Sequence, residues 1–171
     1  MEKLSKENEL KQMVDPTIIY ITKCLRQIAH ELSKHSKYIQ ENYNITVPQL
    51  VCLREIYERG PISLSDLTKS IFLNNSTVTG IVDRLEKQGL VRRTRTSRDR
   101  RQIHIEITDA GTTFLGNAPP PIQQNFIDGL NGLNEEEVKT ILWAIEKLVD
   151  LITTDEAIKT EISRQYPGRE D

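Results

Sequence analysis

Apolar residues recur at intervals of three and four along the first part of the chain, a period that predicts an amphipathic helix. The series begins after Asp15 and Pro16, a capping acceptor followed by a proline that fits the first helical position. The apolar positions are Ile18, Ile21, Leu25, Ile28, Leu32 and Ile39, with His35 in the one gap. Because this seam is narrow, it predicts a helix that packs against another helix across a subunit interface. The alternative is an ordinary core helix.

Three shorter helices follow, each opened by a polar cap. Thr46 and Gln49 predict a capping box at the start of the second helix, and Gly60-Pro61 predicts its end. Ser63 with Asp66 predicts the cap of the third helix. The side chains expected to face inward from these helices and from the next one are Leu50, Leu53, Ile56, Tyr57, Leu64, Leu67, Ile71, Val78, Ile81, Val82 and Leu85.

A four-residue turn, residues 72–75, separates the third predicted helix from the fourth. Either Asn74 or Asn75 caps the fourth helix, and Gly89 ends it. Two helices joined by a turn of this length form the helix-turn-helix pattern.

Beyond the fourth helix the apolar period changes to two, which is typical of strands. Residues 91–94 and 103–107 predict two strands, and the loop 95–101 between them contains no apolar residue. That loop has nothing to bury, so it must project into solvent or onto a charged ligand. The order of elements predicts a winged helix-turn-helix over residues 46–111, a module that binds double-stranded DNA.

The C-terminal part predicts further helices. The first of them starts at Thr108-Asp109 and is interrupted at Pro119–Pro121, where three consecutive residues lack an N–H. A short helical piece follows over residues 121–130. Asn134 and Glu137 predict a capping box for the last helix. Its apolar face comprises Val138, Ile141, Leu142, Ile145, Leu148, Val149 and Ile152.

The expected fold class is mainly α with a small β-hairpin wing, in which dimerisation helices flank a winged helix-turn-helix. The expected segments are a flexible tail (1–14), a dimerisation helix (15–45), the DNA-binding domain (46–111), C-terminal dimerisation helices kinked at 119–121 (112–152) and a second flexible tail (153–171). The residues expected to hold two copies together are Ile18, Ile21, Leu25, Ile28, Ile141, Ile145 and Leu148.

Charge is distributed unevenly along the chain. The 171 residues carry a net charge of −2, so the protein is not a globally basic nucleic-acid binder. Residues 84–101 nevertheless contain eight basic and two acidic side chains, a local charge of +6. A polyanion is the natural partner for such a stretch.

Each part of the predicted module offers side chains to DNA. Small polar residues at the start of the fourth helix would face base edges in the major groove, unless they merely cap the helix. Ser63 and Ser65, with free N–H groups and hydroxyls, would contact phosphates. The hairpin arginines would enter the minor groove, unless the tip is only a solvated loop. The predicted DNA-binding residues are Ser63, Ser65, Asn75, Ser76, Thr77, Thr79, Arg84, Arg93, Arg95, Arg98, Asp99, Arg100 and Arg101.

The segments STVTGIVDRLEKQGLVRR (76–93) and SRDRRQIHIEITDAG (97–111) resemble the MarR family of bacterial and archaeal transcription regulators. The resemblance implies that Arg101 enters the minor groove, that Asp99 positions it, and that residues 75–88 form the major-groove helix. It also implies homodimers that bind near-palindromic double-stranded DNA, usually repress transcription, and release DNA when a small molecule or an oxidant arrives.

The break at Pro119–Pro121 departs from the family pattern, in which one long helix commonly follows the wing. Such a break should change the angle between the DNA-binding lobes and the dimer hub. The Ala-Pro stretch and the overall layout are similar to a subgroup tied to osmoprotectant (ectoine) synthesis genes.

The signal that such a regulator would sense stays open. The resemblance implies a small-molecule cleft, placed near Tyr38 or Tyr57, for an effector of unknown identity. Some relatives sense oxidants through a cysteine in the first helix, where Cys24 lies. Cys24 and Cys52 lack the paired spacing of a metal site, and His30, His35 and His104 are scattered, so neither a metal nor a cofactor is expected.

Other classes of protein are less consistent with the sequence. A winged-helix module that grips an acidic protein partner through its hairpin is the main alternative. No carboxylate pair, nucleophile–base pattern or phosphate loop indicates an enzyme. No apolar run is long enough to span a bilayer, and the N-terminal residues lack the apolar core of a signal peptide, so a cytoplasmic protein is expected.

Overall fold

The computed structural model describes residues 15–71, 73–95 and 103–153, and it divides into two compact units, residues up to Tyr38 and residues from Ile39 onward. Within the described residues it contains seven helices and a three-stranded sheet. The helices are α1 (Pro16–Tyr43), α2 (Val47–Arg59), α3 (Leu64–Ser70), α4 (Asn75–Lys87), α5 (Asp109–Asn117), α6 (Gln124–Asn131) and α7 (Glu135–Ile152), and the strands are β1 (Ile62–Ser63), β2 (Val91–Arg95) and β3 (Ile103–Ile107). The predicted class, mainly α with a small β wing, is confirmed.

Polar caps start the helices where the sequence predicts them. The capping boxes at Thr46 and Asn134 are both present. Asn74, and not Asn75, caps α4, since its Oδ1 accepts a hydrogen bond of 2.8 Å from the backbone N–H of Thr77. These caps satisfy backbone donors that have no partner within the helix.

Glycine and proline end the helices. Gly60 and Gly89 both have φ of 73°, a left-handed conformation that favours glycine, directly after α2 and α4. Helix α5 ends at Asn117, and the prolines at 119–121 precede α6. The predicted break is therefore present.

The sheet is antiparallel with the order β1-β3-β2. Strands β2 and β3 form the hairpin, in which Arg92 pairs with Glu106 and Arg93 pairs with Ile105. The two-residue strand β1, which the sequence does not predict, pairs Ile62 with Ile105 on the other side of β3. Two residues are too short for a periodic pattern, so only the partner strand defines this element.

One cluster of buried apolar side chains holds α2, α3, α4 and the sheet together. Its members are Ile39, Ile45, Leu50, Cys52, Leu53, Ile56, Ile62, Leu67, Val78, Ile81, Val82, Leu85, Leu90, Val91 and Ile105. Two expectations are wrong: Tyr57 is 54% exposed, at the edge of the buried face of α2, and Ile103 is 46% exposed, opposite Arg95 at the open end of the described hairpin. Most of the predicted inward positions on α2 and α4 are confirmed.

The last helix contributes nothing to this core. No residue of α7 is buried, and its apolar side chains are between 36% exposed at Ile141 and 82% exposed at Leu151. Trp143, which was not part of the predicted apolar face, is 62% exposed. Among the helices in the described ranges, none combines the length and the apolarity needed to cross a membrane.

Candidate nucleic-acid interface

Helix α4 has one apolar and one polar face, as the sequence predicts for a recognition helix. The apolar face is buried in the core and consists of Val78, Ile81, Val82 and Leu85. The side chains of Asn75, Ser76 and Thr77 in the first turn are exposed, and Thr79 is half-buried. Burial of one face therefore fixes which polar residues the helix presents to solvent.

The hydroxyl groups of this first turn are partly occupied. The Ser76 hydroxyl donates to Asn74 Oδ1 at 2.8 Å, and the Thr79 hydroxyl donates to the Asn75 carbonyl at 2.7 Å. Within the described part of the chain, the side chains of Asn75 and Thr77 form no hydrogen bond. An unoccupied amide and hydroxyl at a helix N-terminus are suited to base edges.

The start of α3 differs from the prediction. The Ser63 hydroxyl was expected to be free, but it donates to Asp66 Oδ2 at 2.6 Å and accepts from the Asp66 backbone N–H at 3.1 Å. It is therefore committed to the helix cap. Ser65, in the first turn of α3, is exposed.

Arg93 at the base of the hairpin is bound to α4. Its guanidinium Nη2 lies 2.6 Å from Asp83 Oδ1, its Nη1 forms an ion pair with Glu86, and its backbone N–H donates to Glu86 Oε1 at 3.2 Å. The hydrogen bond to Asp83, together with that to Glu86, raises the pKa of Arg93 above its ordinary value. The predicted role of Arg93 in DNA contact is thus at odds with a guanidinium that already has two carboxylate partners.

The other basic residues fall into two groups. Arg92 forms a cross-strand ion pair with Glu106, with 2.5 Å between Nε and Oε1. Among the residues that the structure describes, Arg84, Lys87 and Arg95 are exposed and have no carboxylate partner. Arg98, Asp99, Arg100 and Arg101 at the hairpin tip, like the two predicted tails, lie outside the described residues.

Asp83 and Glu86 are the residues that the sequence reasoning missed. They stand three positions apart on α4, so they project from the same side of the helix. This spacing, next to an arginine-rich hairpin, was the available signal. It indicates that part of the local positive charge serves to position the hairpin on the recognition helix.

The two cysteines lie in different environments. Cys52 is buried, and burial raises the pKa of its thiol to about 12, so it is protonated at neutral pH. Cys24 is exposed, and its proposed redox role stays a prediction. No group of three or more potential metal ligands occurs in the described ranges.

The effector cleft predicted near Tyr38 or Tyr57 has no counterpart at those residues. Both side chains are about half exposed, at 48% and 54%, and neither lines the clefts that the structure contains near α4 and α7.

Comparison with known proteins agrees with this geometry. Residues 45–103 match the MarR family. The chain is 34% identical over 128 residues to the HTH-type transcriptional regulator YwhA of Bacillus subtilis, which covers 70% of this chain and 90% of that protein. It is 30% identical over 131 residues to the HTH-type transcriptional repressor NicR of Pseudomonas putida, which covers 72% of this chain and 83% of that protein.

A solved structure of a MarR family protein from Bacillus stearothermophilus is similar to this chain, with a TM-score of 0.54 and 30% sequence identity, over 83% of this chain and 99% of that one. The likeness to the osmoprotectant subgroup stays a prediction. The winged-helix fold and the family that residues 76–111 indicate are confirmed, and the chain belongs to the MarR family of transcriptional regulators.

Proposed function

We propose that this protein binds palindromic double-stranded DNA as a homodimer and regulates transcription, as a repressor that responds to a small ligand. The first turn of α4 carries the proposal. Asn75 and Thr77 offer unoccupied polar groups there, while the opposite face of the helix is fully buried. A helix held in this way can insert its polar end into a major groove without unfolding.

The hairpin supplies the second element of the proposed contact. The pairing of Arg93 with Asp83 and Glu86 on α4 holds the base of the hairpin beside the recognition helix. By the family resemblance, Arg101 would probe the minor groove and Asp99 would position it. We assign Arg93 to positioning, whereas Arg95, Arg98, Arg100 and Arg101 remain the proposed hairpin contacts to DNA.

Exposed apolar surface supports the homodimer. In α7, Ile141 is 36% exposed and Ile145 is 49% exposed. Within the N-terminal unit, the predicted seam of α1 is likewise uncovered, with Ile18 51% and Ile28 57% exposed. Contiguous apolar surface of this kind marks a protein–protein interface.

Ile145→Asp should therefore shift the protein toward monomers at micromolar concentration, because a carboxylate would be buried in the proposed interface. Sedimentation velocity measures this shift. Thr140→Asp introduces the same charge at an exposed position away from the predicted apolar face of α7 and should leave the dimer intact. A dimer of unchanged stability in Ile145→Asp would rule out α7 as the interface.

The repressor role and the ligand response rest on the family. NicR, a similar protein, is a transcriptional repressor by name. A reporter gene placed behind the selected site should be expressed more strongly when the gene for this protein is deleted. Lower expression after the deletion would indicate an activator.

DNA binding itself is tested by selecting bound duplexes from a random pool and titrating the best one at several salt concentrations. Several phosphate contacts should lower the affinity by orders of magnitude between about 50 and 200 mM salt. Asn75→Ala should weaken the selected site by roughly 1–3 kcal/mol without changing the salt dependence, because the lost contact is to a base. Absence of binding at low salt would contradict the proposal and favour an acidic protein partner.

A further inference from the structure

A cleft of about 350 Å³ lies where the N-terminal turn of α2 meets the C-terminal turns of α4. Its volume is in the range of small-molecule sites. The residues that determine its chemistry are Asn44, Thr46, Gln49, Arg84, Lys87 and Gln88. This described lining contains two cations and no carboxylate, unlike the base of the hairpin, where carboxylates neutralise Arg93.

Gln49 is a buried polar residue of this cleft, with only 5% of its surface exposed. Its Oε1 is committed to the capping box, since it accepts from the Thr46 backbone N–H at 2.8 Å and from the Thr46 hydroxyl at 3.0 Å. Its Nε2 donates no hydrogen bond to any residue in the described ranges. A buried amide donor without a partner is unfavourable, so this donor indicates a ligand acceptor inside the cleft.

Arg84 and Lys87 supply the charge. They stand three positions apart on α4 and so project toward the same side of the helix. Neither has a carboxylate partner among the described residues, whereas the nearby Asp83 and Glu86 are taken up by Arg93. Two unneutralised cations beside a free amide donor form a site for a ligand with two negative charges.

The cleft is separate from the polar turn proposed to meet base edges. Arg84 follows Asn75 by nine residues, which is about 14 Å along the helix axis. The wall of the cleft is also tied together, because Gln88 Nε2 donates to the Asn44 carbonyl at 3.1 Å. A small anion could therefore occupy the site whether or not the protein binds DNA.

We propose that this cleft binds a small dianion, the phosphate of a monoester or a dicarboxylate, through Gln49 Nε2 and the side chains of Arg84 and Lys87. The guanidinium offers paired donors to two oxygens, and the ammonium acts as a compact charge. Both ligand types present the same feature, two negative charges spread over adjacent oxygens.

The test uses the full-length, 15N-labelled protein titrated with inorganic phosphate or with succinate at pH 8, with sodium chloride holding the ionic strength constant. We expect a saturable shift of the Gln49 side-chain NH2 signal with at least one of the two probes. The probe that saturates at the lower concentration identifies the ligand class. No saturable shift with either probe, or the same shift with chloride alone, would overturn the proposal.

Gln49→Glu provides the decisive variant. A glutamate keeps the acceptor that the capping box requires, so the fold should be retained and can be checked by circular dichroism. It replaces the amide donor with a negative charge beside Arg84 and Lys87, and the dianion should bind at least tenfold more weakly. Lys87→Met should also weaken binding, whereas Lys139→Met on the distant α7 removes the same charge without effect. Binding to Gln49→Glu with wild-type affinity would refute the site.

Discussion

Replacing Gly111 with alanine should destabilise the protein by roughly 3 kcal/mol, at the upper end of what overpacking a core costs. A Cβ at this position would lie 2.2 Å from the Leu90 carbonyl oxygen and 2.6 Å from Ile107 Cγ1. The Leu90 carbonyl cannot move aside readily, because it accepts hydrogen bonds from the Thr108 backbone N–H at 3.0 Å and from the Thr108 hydroxyl at 3.1 Å. Relief of the clash must therefore displace the start of α5 from the hairpin.

Thermal unfolding followed by circular dichroism measures this effect, and a loss of this size lowers Tm by about 6–12 °C in a chain of this length. Gly116→Ala in the same helix is the matched control, because a Cβ there meets nothing within 4 Å. Alanine should raise the stability at Gly116 by about 0.5–1 kcal/mol through its better helix propensity. Equal Tm values for the two variants would show that α5 does not pack on Leu90 as described.

Replacing Arg93 with methionine should destabilise the protein by roughly 1–2 kcal/mol and, on the proposed function, should weaken DNA binding about tenfold or more. The variant loses two charge-assisted hydrogen bonds. It also leaves Asp83 and Glu86 unneutralised on one side of α4, where they repel each other. The estimate is kept low because the Arg93 side chain is 30% exposed and its partners are 49% and 38% exposed.

Arg92→Met is the matched control, since it removes the same charge from the neighbouring residue of β2. The Arg92 side chain is 66% exposed and its partner Glu106 belongs to the same hairpin, so its removal should cost less than about 0.5 kcal/mol. Urea denaturation of both variants gives the stabilities, and titration with the selected duplex gives the affinities. If Arg92→Met and Arg93→Met lose the same stability, the hairpin is not held to α4 through Arg93. A normal DNA affinity in Arg93→Met would remove the hairpin position from the proposed function.

The recognition helix shows how far local pattern reaches. The spacing of Val78, Ile81, Val82 and Leu85 predicted both the helix and its buried face, and Asn74 was one of two predicted caps. Apolar periodicity and capping depend on neighbours within one or two turns, so the residues themselves carry that information. The placement of Asn75 and Thr77 on the exposed side followed directly from it.

The positions that pattern could not assign depend on partners far away in the chain. Strand β1 exists because Ile62 lies beside Ile105. Arg93 looked like a free cation until Asp83 and Glu86 were found within ion-pair distance. Ser63 looked like a free hydroxyl although Asp66, only three residues away, accepts its proton, because a cap and a ligand contact use the same type of residue.

By itself the sequence determined the order of helices, their caps and breaks, the hairpin and the family, since each depends on short-range periodicity or on a contiguous motif. Only the tertiary structure decided which arginines are neutralised, that Gly111 admits no side chain, and that Gln49, Arg84 and Lys87 line one cleft. Those properties arise from distances between segments that folding brings together, and no local pattern encodes such distances.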